Sequence, residues 1–386
     1  MDKIQREKKY LTLPRYKKIY AVILDWLILA GLSLIVLFAM VNPILNSQVF
    51  YQDLVNQKDD NYSTIQEIGT ESKLIAVSSD SDTNYTFDMM YKLYVSEHIL
   101  LSYSYSPENL DEIGFTPDLI ASSISKASYS SDFLAYFYTN FIADKTTSDN
   151  SPIIDAEDYK EYYKDNVLDI DSNDWWVTDG DELPHLKDDY ARYLTEYLIL
   201  GISYSTITEV SNNFEAYFSR LYTQAGSDLM KVPEYLNAYN NYTEVYNSIT
   251  TIKNSWVAIS TGFIFLLSYI LYPLIHGNYQ TLGYRIFHLG SADENQSFKY
   301  YHYILKVLGS LISAFFVVGI VGLIFSGSSF FGITLFAFNS ITFTTGVFIG
   351  ISILLDIASL MGVLFTTSNK GLSNLISGTQ DYEIIY

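Results

Sequence analysis

The chain has 386 residues, of which 49% are hydrophobic, and its 23 basic and 43 acidic residues give a formal net charge of −20. It contains no Cys, which excludes disulfides, thiol catalysis and Cys-based zinc sites. No basic patch of the kind that binds nucleic acid is present, so we expect no nucleic-acid partner. Its strongly apolar stretches lie towards the two ends of the chain, which indicates a membrane protein.

The first apolar stretch, Tyr20 to Val41, is long enough to cross the ~30 Å hydrocarbon layer of a bilayer. Asp25 lies inside it, where a charge costs about 2.5–3.5 kcal/mol on insertion scales. Two interpretations stay open. Asp25 is a functional intramembrane carboxylate, or it only reaches the nearby interface or caps a helix contact. Lys18 lies seven residues earlier on the same helical face and is a candidate partner for Asp25.

The N-terminal segment carries seven basic residues before the first span, which places it in the cytoplasm by the positive-inside rule. The apolar stretch exceeds the 7–15 residues of a signal peptide, so we expect an uncleaved span. Residues 1–46 are therefore predicted to form a cytoplasmic N-terminus and the first membrane helix.

Residues 47–254 form a long polar block with 12 Lys and Arg and 35 Asp and Glu, which we assign to an extracytoplasmic domain. Apolar residues recur at helical spacing in four segments, which predicts a mostly α-helical domain. These segments are 87–101, 133–142, 190–202 and 214–222. The many Tyr residues are predicted to pack in the core, with a Tyr-lined groove for a peptide as the alternative.

An acidic loop in this block begins like a calcium-binding loop, with Asp169, Asp171 and Asn173 at alternate positions. Asp174 stands where the turn requires Gly, and Gly180 stands where the bidentate Glu belongs. We therefore expect a solvated acidic loop anchored by the adjacent tryptophans, and no metal site.

Residues 255–386 are predicted to contain three further spans, with loop 276–302 and the tail 366–386 in the cytoplasm. The predicted spans are Trp256–Ile275, Tyr303–Phe325 and Phe343–Phe365. Residues 330–340 are apolar but interrupted by Asn339 and Ser340, which indicates an interfacial or re-entrant piece. Small residues in the third span, beginning with Gly309, predict close helix approach in lipid.

The fourth predicted span contains a second carboxylate, Asp356. Ser352 and Ser359 lie four residues before it and three after it, so the three residues share one helix face. A polar stripe of this kind is typical of ion or proton pathways. The alternative is a hydrogen-bonding seam that only joins helices.

Three segments of the chain resemble the RDD family of bacterial membrane proteins, named for one arginine and two aspartates. In the first span Ala21 and Asp25 match the family's R-x-x-A-x-x-I-D pattern, with Lys18 in place of the arginine. The loop 277–289 resembles G-x-x-x-T-x-G-K-R-x-x-x-L, and Tyr284 replaces its lysine. The matching residues there are Thr281, Gly283, Arg285 and Leu289.

The third segment, 372–379, resembles the family's L-H-D-x-x-A-G-T. Gly378 and Thr379 match this pattern, and Asn374 stands where the second family aspartate is expected. The resemblance covers 1–46 and 255–386, and it leaves the central block unexplained. The family's molecular role is largely unassigned, with transport suggested.

The resemblance implies a multi-pass protein of the bacterial cell membrane with both termini in the cytoplasm. We predict an all-α fold, in which a four-helix transmembrane bundle carries a mostly helical domain between its first two spans. Transport of ions or small solutes is the leading hypothesis, with Lys18, Asp25, Ser352, Asp356 and Ser359 as its residues.

The alternative hypothesis is a membrane anchor that presents a receptor or cell-envelope domain to an extracytoplasmic protein or ligand. Under both hypotheses the lipid bilayer is a partner. No Ser/His/Asp order, phosphate loop or zinc-protease motif occurs in the chain, so we predict no enzyme activity and no cofactor.

Overall fold

The structure is a computed structural model, and part of the chain is described in it. The described residues are 9–12, 14–75, 133–169, 175–177, 185–187, 189, 190, 193, 194, 197, 205–276, 279–293, 299–338, 341–365 and 370–385. The helix predicted over 87–101 lies outside these residues, as does most of the helix predicted over 190–202. Most of the acidic loop 169–182 also lies outside them.

The fold is all-α in class, as predicted. It divides into two compact units. The membrane unit consists of Met1–Val55 and Val245–Tyr386, and the central unit is Asn56–Glu244. The described α-helices are α1 (Arg15–Val36), α2 (Asn42–Ser47), α3 (Val49–Glu71), α4 (Phe133–Tyr136), α5 (Tyr159–Tyr162), α6 (Ser205–Leu229), α7 (Pro233–Phe265), α8 (Tyr272–His276), α9 (Leu282–Ile286), α10 (Tyr300–Ser326), α11 (Thr345–Phe365) and α12 (Leu372–Ser377).

Short π-helical and 3-10 segments continue several of these helices. They are the π-helices Leu37–Val41, Phe137–Phe141, Tyr163–Val167 and Leu266–Leu271, and the 3-10 helix Gly327–Gly332. The described strands are β1 (Lys9–Thr12), β2 (Trp176–Val177), β3 (His185–Leu186), β4 (Leu289–Ala292), β5 (Thr334–Phe338), β6 (Ile341–Thr344) and β7 (Gln380–Ile385).

Four helices among the described residues are long and apolar enough to cross a membrane, which confirms the predicted number of spans. They are span 1 (Arg15–Ser47), span 2 (Pro233–His276), span 3 (Tyr300–Gly332) and span 4 (Thr345–Phe365). Their outward faces carry large exposed apolar side chains such as Ile35, Phe263 and Leu354. An apolar outer surface of this kind suits contact with lipid.

Small residues on span 3 bring its backbone close to its neighbours, as predicted. A Cβ added at Gly309 would lie 2.6 Å from Ser373 Cα, and one at Gly319 would lie 2.9 Å from the Ile349 side chain. A side chain at either position would therefore push the neighbouring helix away. On span 4, a Cβ added at Gly350 would have no atom of the described residues within 4 Å, so among them this glycine makes no close helix contact.

Two β-structures in the membrane unit were not predicted. Strands β1, β7 and β4 form an antiparallel sheet in that order, with β7 in the centre. Since these strands come from the N-terminal segment, the C-terminal segment and the loop between spans 2 and 3, all three segments lie at the same end of the bundle. Strands β5 and β6 pair as an antiparallel hairpin between spans 3 and 4, where we predicted an interfacial or re-entrant piece.

The central unit has its own aromatic core, and Tyr residues pack inside it as predicted. Tyr138 and Tyr163 are fully buried and stack with ring centroids 5.7 Å apart. The Tyr138 hydroxyl donates to Asp228 Oδ2 at 2.9 Å. The helices predicted over 133–142 and 214–222 are confirmed, because α4 with its π-helical continuation covers the first and α6 covers the second.

Candidate functional site

Asp25 is held by the start of the short helix α9. Thr281 is the N-cap of α9, and its hydroxyl donates to Asp25 Oδ2 at 2.5 Å. The Gly283 amide, one of the free N–H groups of the first turn, donates to Asp25 Oδ1 at 2.8 Å. Asp25 is only 6% exposed. The two oxygens of this buried carboxylate therefore each have a donor from the loop between spans 2 and 3.

The close approach of α9 to span 1 depends on a glycine. A Cβ added at Gly283 would lie 2.2 Å from the Ala21 carbonyl oxygen and 3.0 Å from the Asp25 carboxyl carbon. No side chain fits at that distance. The sequence motif residues Ala21, Asp25, Thr281 and Gly283 thus meet at one point, although they come from two distant parts of the chain.

A buried ion cluster lies beside this contact, centred on Asp381 of β7. Asp381 Oδ1 lies 2.6 Å from Lys306 Nζ, and Oδ2 lies 2.7 Å from Lys18 Nζ. The Ser291 hydroxyl donates to Oδ1 at 2.6 Å, and the Tyr284 hydroxyl donates to Oδ2 at 3.0 Å. Lys306 Nζ also donates to the Ser291 hydroxyl. The carboxylate is therefore fully satisfied by charge and by hydrogen bonds.

The electrostatics of the cluster follow from these contacts. Burial alone would raise the pKa of Asp381, but the Lys18 and Lys306 ammonium groups outweigh it and hold the pKa well below its usual range. Burial and the nearby Asp381 carboxylate raise the pKa of Tyr284 well above its usual range. The phenol therefore keeps its proton and remains a donor to Asp381.

The predicted pairing of Lys18 with Asp25 is corrected by this geometry, because the structure gives Lys18 the carboxylate of Asp381. Seven residues along a helix separate Lys18 from Asp25 by about 10 Å, whereas β7 brings Asp381 directly to the Lys18 ammonium. Sequence reasoning missed Asp381. A signal was available, since Lys18 and Lys306 both border apolar spans and few acidic residues remain in the C-terminal tail.

The polar face of span 4 contacts two other helices. The Ser352 hydroxyl donates to the Ile312 carbonyl of span 3 at 2.6 Å. The Ser359 hydroxyl accepts from the Leu372 amide of α12 at 2.8 Å. These two serines join helices, as the seam interpretation expects.

Asp356, between the two serines, is less completely bonded. Its Oδ1 accepts from the Ser313 hydroxyl at 2.6 Å. Its Oδ2 is buried and has no hydrogen-bond donor within the described part of the chain. The residue is 6% exposed. A buried carboxylate oxygen without a donor is able to take a proton or a cation.

Asp25 and Asp356 line the same cavity within the membrane unit. This cavity has a volume of about 60 Å³. A cavity needs about 10–15 Å³ to hold one water molecule, so this cavity is large enough for a few waters or one small ion. Five of the predicted site residues line it together. They are Lys18, Asp25, Thr281, Asp356 and Ser359, and Lys306 lines it as well.

The remaining motif residues lie outside the cavity lining. The Arg285 guanidinium is at an exposed position and donates to the Tyr272 hydroxyl at 3.2 Å. Asn374 is buried, and its backbone carbonyl accepts from the Thr379 amide at 3.1 Å. Gly378 ends α12 with a φ of 66°, a left-handed conformation that favours glycine. Together Asn374, Gly378 and Thr379 form the turn that leads into β7 and so position Asp381.

Within the described ranges, no group of three or more His, Cys, Asp or Glu side chains is arranged to hold a metal ion. The four apolar helices fit a membrane location, and the site is a polar cavity among them. No protein-family model matches this chain, and no curated protein or solved structure matches it. The RDD resemblance therefore stays a prediction from the three sequence segments.

Proposed function

We propose that this chain is an RDD-like protein of the bacterial cell membrane that transports a proton or a small cation, with Asp25 and Asp356 as the residues that bind it. The observation that carries the proposal is that both carboxylates line one cavity between membrane helices. Intramembrane carboxylates facing a shared cavity are the usual parts of proton and cation pathways.

The charges around the cavity support a cation rather than an anion. Asp381 is bound by two lysines, so these three residues together carry one excess positive charge. Asp25 and Asp356 add two negative charges when both are ionised. One bound proton or monovalent cation makes the group of five neutral, and neutrality strongly lowers the cost of burying charge.

The size of the cavity supports an ion rather than a larger solute. Its volume of about 60 Å³ is well below the ~300–1,000 Å³ of sites for drug-sized ligands. The Ser313 hydroxyl donates to Asp356, and the Thr281 hydroxyl, which also accepts from the Tyr284 amide, donates to Asp25. Hydroxyl and carboxylate oxygens of this kind suit a hard monovalent cation as well as a proton.

We place the sheet end of the bundle in the cytoplasm. The basic N-terminal segment favours this side by the positive-inside rule, and β1 pairs with β7, so the C-terminal segment goes to the same side.

The alternative function, a membrane anchor, is favoured by one observation. The central unit has a buried core of its own, with residues such as Phe137, Tyr163 and Phe218 fully enclosed. A unit with its own core is suited to present a binding surface to an extracytoplasmic protein or ligand. In this alternative the buried carboxylates only join helices, and no ion moves.

The test is proton or sodium flux into proteoliposomes that contain the wild type, Asp25→Asn or Asp356→Asn. The amide keeps the size and the hydrogen-bonding oxygen of the side chain but cannot change charge. We expect flux in the wild type and a loss to the level of empty vesicles in both variants. The matched control is Asp53→Asn, an exposed carboxylate of the membrane unit, which should conduct as the wild type does.

Wild-type flux no higher than that of empty vesicles would reject transport of these cations and favour the anchor. Normal flux in Asp25→Asn and Asp356→Asn, with a clear wild-type signal, would keep transport but remove both carboxylates from it.

A further inference from the structure

A second cavity of the membrane unit has a different chemical character from the first. It has a volume of about 310 Å³ and shares no lining residue with the cavity of Asp25 and Asp356. Spans 2, 3 and 4 and the β5–β6 hairpin contribute to it. Its apolar lining residues include Phe315, Val318 and Ile349. The volume reaches the lower end of the range for ligand sites, about 300 Å³.

Polar groups are concentrated on one side of this cavity, on a single turn of span 2. The Ser255 hydroxyl there donates to the Thr251 carbonyl at 2.8 Å, so its proton is already used. Across the cavity, the Thr345 hydroxyl donates to the Phe330 carbonyl. Both hydroxyl protons are therefore already used in hydrogen bonds to backbone carbonyls.

Asn254 is different, because its side-chain oxygen lacks a donor. The residue is 7% exposed and lines the cavity. Its Oδ1 is buried and accepts no hydrogen bond from the described part of the chain. A buried polar group without a partner is costly and uncommon in folded proteins, and this one belongs to a residue that lines a space large enough for a ligand. A ligand that donates a hydrogen bond at this point would satisfy it.

We propose that this cavity binds one acyl chain of a neutral acylglycerol, a lipid that keeps a free glycerol hydroxyl, and that this hydroxyl donates a hydrogen bond to Asn254 Oδ1. The site lies between membrane helices, so the bilayer is the natural source of its ligand. The apolar walls suit an acyl chain. The neutral amide oxygen suits a neutral hydroxyl group, whereas an ionised fatty acid has no proton to donate.

The depth and the volume of the site agree with this ligand. Asn254 lies just before Trp256, the first residue of the second predicted span. Aromatic side chains at the end of a span reach the level of the polar headgroups. The free hydroxyl of an acylglycerol lies near that level, and its acyl chain would pack along Phe315 and Val318. A cavity of about 310 Å³ is too small for a complete two-chain lipid, so we assign it a single chain. The proposal does not depend on the transport function.

The experiment uses a cysteine introduced at Ala258, which lines the cavity and is exposed, in a chain that has no native Cys. The rate of maleimide labelling in detergent is measured with added monoolein and with monoolein whose two hydroxyls are methylated. We expect monoolein to slow labelling at least tenfold and the methylated lipid to slow it much less. With Asn254→Leu added, the two lipids should protect equally, because the acceptor is gone.

The control is a cysteine at the neighbouring Ile259, which is 58% exposed and does not line the cavity. Its labelling should respond to neither lipid. Native mass spectrometry gives a second measurement if the cysteine variants fold poorly. It compares the wild type with Asn254→Leu, and neither protein carries an introduced cysteine. Wild type should retain monoolein in preference to its methylated form.

Equal protection by the two lipids in the presence of Asn254 would overturn the hydroxyl recognition and leave an unselective apolar groove. Absence of protection by monoolein would overturn the site itself.

Discussion

Asp381 and Asp356 are both buried carboxylates of the membrane unit, yet their surroundings differ sharply. Asp381 receives two ammonium groups and two hydroxyl donors, which come from span 1, span 3 and the loop between spans 2 and 3. Asp356 receives one hydroxyl donor and keeps one oxygen without a described partner. The difference separates a carboxylate that holds the fold together from one that is available to a proton or a cation.

The largest effect that this comparison predicts is on Asp381. The substitution Asp381→Asn keeps the shape but removes the negative charge between Lys18 and Lys306, so two buried cations lose their counterion. We expect the free energy of unfolding to fall by about 3–5 kcal/mol. Denaturant unfolding in detergent measures it, with the exposed Asp53→Asn as the control, expected to change stability by less than about 0.5 kcal/mol.

If Asp381→Asn lowers the free energy of unfolding no more than the control does, the cluster does not stabilise the fold. In that case the contrast with Asp356 would disappear.

An intermediate effect is expected where α9 meets span 1. Gly283→Ala would place a methyl group 2.2 Å from the Ala21 carbonyl oxygen, so α9 must move away and weaken both of its bonds to Asp25. We expect the free energy of unfolding to fall by about 1–3 kcal/mol, as for other overpacked sites. Faster hydrogen exchange at the α9 amides, including that of residue 283, would show the displacement directly.

The matched control is Gly262→Ala, because a Cβ at that position of span 2 would have no atom within 4 Å in the part of the chain that the structure describes. It should leave stability unchanged or slightly raised. If the two alanine variants behave alike, the close contact of α9 with span 1 does not hold Asp25 in place.

The smallest effect on stability is expected at Asp356. The amide oxygen in Asp356→Asn still accepts from Ser313, and no positive charge in the described part of the chain loses a partner. The unfolding free energy should therefore change by less than about 1 kcal/mol. The same variant should lose ion flux. A loss of stability as large as that of Asp381→Asn would instead identify Asp356 as a second structural carboxylate.

The sequence allowed the helical part of this architecture to be predicted, because the length of an apolar stretch is a local property. The same is true of Asp25 and Asp356, which stand out as acids inside apolar helices. The close approach of span 3 to its neighbours also followed from local composition, at Gly309 and Gly319.

The sheet and Asp381 could not be predicted in the same way. Strand β4 is buried at all four positions, so it lacks the alternation that marks a half-buried strand. Lys306 and Asp381 are 75 residues apart, and no local pattern connects them.

The position of β7 in the middle of its sheet has a consequence for biosynthesis. Of the three strands, β7 leaves the ribosome last, so β1 and β4 have no central strand to pair with until the C-terminal segment has been made. Until then Lys18 and Lys306 also lack the carboxylate that binds them in the finished protein. The four spans can enter the bilayer one after another during translation, but this end of the bundle is completed only after the last of them has been inserted.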